Sequence, residues 1–267
     1  LEKRLRLAKR RQAAVISAVS GAQGERLLEL AEFVGNLAWW CHSGSFACRE
    51  VELALRAGAG LQAASGRLAT GPVRGRTLHV LTTALLTGGH TRLAQRWMEL
   101  MSHEPAAVLV TRQGVPLDPT SVCPPGREVA LIDLEREGVR TRLAKLGETR
   151  RLMEAAARVV LHIHPDDAVT VAAAHQVSGV PITFVNHADH VAWLGAALPV
   201  PLLQLRSAGG GLATRRRGVL PGRNASVPLP LTEPPHLDRR EARQSLGFGD
   251  GDVVMLTVAA DYKYRPT

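Results

Sequence analysis

Lysine is scarce in this 267-residue chain. Lys3, Lys9, Lys145 and Lys263 are the only four, and every other cation is arginine. Aromatic residues make up just 4%. Charge-driven nucleic-acid binding needs a clustered basic face, often with rings for bases to stack on. The densest basic run lies at the start, Lys3, Arg4, Arg6, Lys9, Arg10 and Arg11. The cations near 136–151 alternate with Glu135, Glu137 and Glu148, which reads as a solvated helix face. A net charge of +9 therefore does not predict a nucleic-acid partner, and none is expected.

Cysteine is as sparse. Cys41, Cys48 and Cys123 are odd in number and form no Cys-x-x-Cys pair, so no disulfide framework is implied and a cytoplasmic setting fits. Cys41, beside Trp39 and Trp40, reads as small apolar filler. No apolar run approaches the roughly 20 residues of a membrane span. The basic start lacks the apolar core of a signal peptide. It does suit peripheral attachment to an anionic inner membrane face. Gly-x-Ser-x-Gly, Gly-x-Gly-x-x-Gly and the phosphate-loop Gly-Lys-Ser/Thr are all missing, which disfavours a serine hydrolase and the commonest nucleotide fingerprints.

What is present has a clear rhythm. Residues 1–70 read as a helical N-terminal extension, with apolar residues at helical spacing from 25 to 40 and a short helix at 50–56. Residues 63–76 read as a linker. From 77 to 235, apolar runs at 77–83, 106–111, 129–134, 159–163, 181–186 and 201–205 alternate with helical patterns at 91–101, 139–157 and 167–177. Strands that are apolar at nearly every position are buried on both faces, as in parallel sheets. The alternation predicts an α/β fold with a Rossmann-like parallel sheet. After the proline-rich stretch 221–235, residues 236–267 read as the start of a second, truncated Rossmann-like domain, with a helix at 238–246 and a strand at 253–259. The start at Leu1 and the end at Thr267 suggest a piece of a longer enzyme.

Ligands of open α/β sheets bind outside the strand carboxyl ends. The residues that follow the strands are therefore the candidates. Gly88 and Gly89 sit between a strand and a helix, where backbone can approach an anion, and His90 and Arg92 can bond a polar ligand. The bland alternative is a tight turn capped by Thr91. His162, His164, Asp166 and Asp167 invite a metal, but the two carboxylates suit the first turn of the next helix better, and no metal is expected. His187 and His190 flank Asp189, which can orient an imidazole and raise its basicity for sugar recognition; the alternative is a histidine packed on Trp193. Arg206 with Gly209, Gly210 and Gly211 suits a phosphate or carboxylate, or else is a mobile glycine loop.

These residues carry a resemblance. Residues 77–267 resemble the acceptor-side domain and interdomain crossover of GT-B glycosyltransferases of the bacterial group-1 type, which are mostly retaining. The likeness rests on Gly88-Gly89-His90-Thr91-Arg92 after the first strand, His187 after the fifth, and the run 253–259 followed by Tyr262-Lys263. The leader, with Asn36, Trp40, His42, Gly44 and Phe46, looks like a preamble of some such proteins. The resemblance implies a nucleotide-sugar donor, an unknown glycan, lipid or protein acceptor, and a departing diphosphate held by basic groups rather than a metal or other cofactor. Gly89 and its neighbours would approach the donor, His187 would contact the sugar near the reacting carbon, and Lys263 would neutralise diphosphate. The donor-holding acidic motif of the family lies in the second domain, so this chain alone is expected to be nearly inactive. A sugar-binding module without chemistry and a sugar-nucleotide epimerase of the same plan are the competing classes.

Overall fold

The computed structural model describes residues 2–41, 43–58, 60–61, 67–231 and 236–258. The expected linker at 63–76 falls partly outside them, and Tyr262 and Lys263 lie wholly outside.

Seven parallel strands form one sheet: β1 (Thr77–Leu81), β2 (Ala106–Val110), β3 (Val129–Asp133), β4 (Arg158–His162), β5 (Ile182–Asn186), β6 (Leu202–Gln204) and β7 (Asn224–Ser226), in the order β3-β2-β1-β4-β5-β6-β7. The chain is an α/β protein with a Rossmann-like sheet, as its alternating pattern predicts. β1 and β2 are buried at every position; β2 is apolar throughout, and β1 is apolar but for Thr77 and His79. β7 has a polar, largely exposed sequence, Asn-Ala-Ser, so no apolar signal marks it.

Helices cover both faces. α4 (Gly89–Leu100) packs Ala94 and Met98 with Leu81, Val108 and Val110 on one face. On the other face α5 (Arg142–Ala155) and α6 (Ala168–Gln176) share a core with Leu78, Val80, Leu109, Val159 and Leu161. The leader helices α1 (Glu2–Ser20), α2 (Gly24–Trp40) and α3 (Arg49–Ala57) enter that same core through Val19, Leu28, Val34, Val51 and Leu55. Residues 1–230 thus make one compact unit, and 231–267 a second.

Four local expectations need correction. The 136–151 region is not a solvated face: α5 buries Lys145, which pairs with Glu135 at 2.6 Å, and Glu148, which pairs with Arg151 at 2.8 Å. Cys41 is exposed rather than packed as filler. The glycines 209–211 are not a mobile loop but the first turns of α7 (Ser207–Arg217), which ends on Gly218 in the left-handed region at φ 70°. In the second unit, α8 (Arg239–Ser245) forms with Asp238 as its cap. Residues 252–258, however, form no strand among the described residues, and Val253, Met255 and Leu256 are exposed.

Candidate functional site

The strand order reverses between β1 and β4, so the carboxyl ends of these two strands flank the natural crevice. The segments that follow β1, β4 and β5 bring three predicted site residues together. His90 lies in the first turn of α4, His164 follows β4, and His187 follows β5. The His90 and His187 rings stack at 5.3 Å between centroids, and His164 meets His90 edge-on at 4.8 Å. Trp39 of α2 approaches His164 at 6.2 Å, so the leader reaches this cluster.

Hydrogen bonds fix part of the proton arrangement. His90 Nε2 lies 2.7 Å from the Thr83 carbonyl, which only accepts, so Nε2 carries the hydrogen and Nδ1 of the neutral ring is an acceptor. His187 Nδ1 is buried, and the Val185 backbone bonds the ring. Burial pushes His187 down to about 3, with His90 and His164 adding to the effect, and pushes His164 down to about 4. His90 is lowered by burial as well. At neutral pH all three rings are therefore neutral, able both to donate and to accept.

Beneath α4 the cluster continues inward. His79 Nδ1 and His162 Nε2 are 3.1 Å apart, with the rings stacked at 5.3 Å, and Trp97 of α4 stands edge-on to both. Burial drives His79 down to about 3 and His162 well below its usual value.

The metal alternative at His162, His164, Asp166 and Asp167 dissolves into separate roles. Asp167 caps α6 by accepting from the Thr170 amide at 2.9 Å and also takes the hydroxyls of Thr82 at 2.6 Å and Thr111 at 3.1 Å. Asp166 pairs with Arg112 at 2.8 Å. No cluster of three or more histidine, cysteine or acidic side chains suits a metal among the described residues.

Asp189 does not orient His187. Arg206 grips it with two bonds of 2.6 Å each, and His190 Nδ1 stands 3.8 Å from it. The guanidinium holds the Asp189 carboxyl below its usual value, so both groups are spent on each other. Arg217 fastens the same loop, donating to the carbonyls of Asp189 at 2.7 Å and Val191 at 2.6 Å while its guanidinium lies over the rings of Trp193 and Phe46. His190 is exposed, and Arg92 bonds Gln95 at 2.9 Å on the surface of α4.

The glycines divide. A Cβ on Gly88 would stand 3.0 Å from Thr91 Oγ1, so Gly88 serves the turn, in which Thr91 accepts from the Leu85 amide. A Cβ on Gly89 would meet nothing within 4 Å, so that backbone faces open space at the uncapped start of α4. A Cβ on Gly209 would lie 2.7 Å from Gln204 Oε1, so the end of that side chain would have to shift to admit one.

Arg112, Asp166, Glu32 and Arg142 form a charged group on the same edge that sequence spacing did not single out. Arg142 Nε reaches Glu32 at 2.7 Å, and Arg112 Nη1 lies 3.6 Å from it. No signal in the chain order links residue 32 to residues 112 and 142, because the link is made by α2 crossing the strand ends. Among the described residues no helix is long and apolar enough to cross a membrane. No protein-family model matches the chain, and no curated protein or solved structure matches it either.

Proposed function

We propose that the chain is the acceptor-side portion of a GT-B glycosyltransferase of the bacterial group-1 type, moving a sugar with retention from a nucleotide-sugar donor to a glycan, lipid or protein. The observation that supports this most is the meeting of His90, His164 and His187 at the crevice beside β1 and β4.

In this reading His187 contacts the transferred sugar near its reacting carbon. A ring pushed down to about 3 holds no proton at neutral pH, so it orients hydroxyls as a neutral partner rather than delivering a proton. His90 and His164 complete that polar surface. The uncapped α4 start at Gly88 and Gly89 favours the donor's negative charge, with Arg92 one turn further on. Lys263 is assigned to the departing diphosphate, and stabilisation by basic groups and a helix start needs no metal. Asp189 and Arg206 act as positioning residues that shape the loop behind His187, and His190 lies at its exposed rim. The exposed cations of α1 suit association with an anionic inner membrane face from the cytoplasm.

The test is product analysis with uridine-, guanosine- and thymidine-diphosphate sugars, using protein made from the full coding sequence. A new glycoside is expected, and His187→Ala is expected to lower kcat/KM by about 100-fold. No glycoside with any donor overturns the transferase reading. An altered nucleotide sugar without transfer identifies an epimerase, and saccharide binding without turnover identifies a binding module.

A further inference from the structure

A second concavity lies on the same sheet edge. It is a cleft of about 660 Å³ between α1, α2 and the loops that follow β2 and β4. It shares no residue with the histidine cluster.

Its two sides differ in chemistry. One is apolar, with Val15 of α1 and Leu30 and Phe33 of α2, and Phe33 leaves 54% of its surface exposed. The other side carries charges that are already matched. Arg112 holds Asp166 at 2.8 Å, Arg142 holds Glu32 at 2.7 Å, and at the mouth Arg26 holds Glu29 at 2.6 Å. Asn36 is exposed on the same face of α2, one turn from Phe33.

The geometry is fixed before any ligand arrives. A Cβ on Gly35 would stand 2.7 Å from the Asp166 Cα, so α2 and the turn after β4 touch backbone to backbone. That contact sets Phe33 and Asn36 against Arg112 and Asp166 without a flexible side chain between them.

Three guanidinium groups facing three carboxylates leave no net field to gather an ion. An anion entering the cleft meets Glu29, Glu32 and Asp166, and a cation meets the arginines. A wholly apolar ligand would strip water from the charged side without replacing its hydrogen bonds. What the charged side retains is direction, because each carboxylate can accept further bonds and each guanidinium has further N–H groups. Fixed planar donors and acceptors opposite an exposed ring fit a neutral molecule with hydroxyls around its edge and C–H groups on its faces.

We propose that this cleft binds a saccharide, with Phe33 against a pyranose face and Asn36, Arg112 and Asp166 bonded to its hydroxyls. Under the transferase reading this saccharide is the acceptor. That role rests on that reading, whereas saccharide binding does not.

The test measures binding without any nucleotide sugar. The purified protein is applied to a glycan array and titrated by saturation-transfer NMR with methyl glycosides of glucose, galactose, mannose and N-acetylglucosamine. Binding to at least one pyranoside class is expected. Phe33→Ala is expected to weaken it about three- to tenfold through loss of the ring face, and Asn36→Ala to weaken it as well. Both side chains are exposed, so thermal melting should stay at the wild-type value and a loss would report on binding. No response on the array or by NMR overturns the proposal, as does binding that neither variant changes. Saccharide binding without transfer by protein made from the full coding sequence would overturn only the transferase reading. Transfer whose acceptor KM is indifferent to Phe33→Ala would overturn the acceptor role of this cleft, and saccharide binding that is equally indifferent would overturn the proposal.

Discussion

Glu52 joins the leader to the far end of the sheet. Only 2% of its surface is exposed, and its two oxygens accept the amides of Gly195 at 2.6 Å, Ala196 at 3.1 Å and Ala197 at 3.4 Å. Glu52→Ala would leave three donors in the interior without a partner. A single unsatisfied buried donor costs about 1–3 kcal/mol, and the expected loss is about 3 kcal/mol in urea unfolding, with Glu52→Gln losing less because its carbonyl still accepts. An unchanged midpoint for Glu52→Ala would refute the role. Burial pushes Glu52 up to about 7, against the pull of the three amides and Arg223. A carboxyl raised above its unfolded value of 4.5 contributes stability that is full below pH 4.5 and is lost as pH rises through about 7. Glu52→Gln should remove that downward slope.

At the scale of elements, α2 is placed by Gly35. Alanine favours a helix over glycine by about 1 kcal/mol. Here the added methyl meets the backbone of Asp166 at 2.7 Å, and backbone cannot swing aside. Overpacking of this kind costs about 1–3 kcal/mol, so the clash should win: Gly35→Ala is expected to lower stability and to loosen the Asp166–Arg112 pair. A stabilised variant in thermal melting would show that α2 has room to shift. The helices and strands that sequence foretold are those whose burial is written in their own residues. Six strands announce themselves by apolar runs, which reflect burial on both faces most fully in β1 and β2 and only in part at the edge strand β3. α7 hides because Gly209, Gly210, Gly211, Arg215, Arg216 and Arg217 carry no apolar stripe; its register depends on the gap beside Gln204. β7 hides because an exposed edge strand needs no apolar residues, and 253–258 misleads because its apolar residues are exposed. The site divides the same way. His90, His164 and His187 follow predicted strands, so topology alone gathers them. The Asp189–Arg206 pair and the Glu32, Arg112 and Arg142 group depend on loop and helix crossings that no local pattern records.

For the whole molecule, the histidines set the acid limit. His79 and His187 fall to about 3 and His164 to about 4, from an ordinary 6.5, and His90 and His162 shift the same way. A base lowered on folding contributes stability that is present above pH 6.5 and is lost as pH falls toward its folded value. At pH 5 each strongly shifted ring withdraws about 2 kcal/mol. Several such rings outweigh the opposing slopes of the Glu52 and Glu32 carboxyls, both raised by burial, so the melting temperature should drop steeply between pH 6.5 and 4. A melting temperature that holds from pH 7 to pH 5 would show that the rings take up protons without unfolding.

The shared core of leader and sheet also bears on how the chain is made. Glu25 receives the amides of Arg142 and Leu143, and its bond to Leu143 spans 118 positions; Glu52 receives Ala197 across 145. A ribosome adding roughly 5–20 residues each second delivers those partners about 6–30 s after the leader. Through that interval Leu28, Val34, Val51 and Leu55 have no α5, α6 or sheet to cover them. The nascent leader thus keeps apolar helix faces uncovered, and the speed of synthesis across β1 to α6 sets for how long.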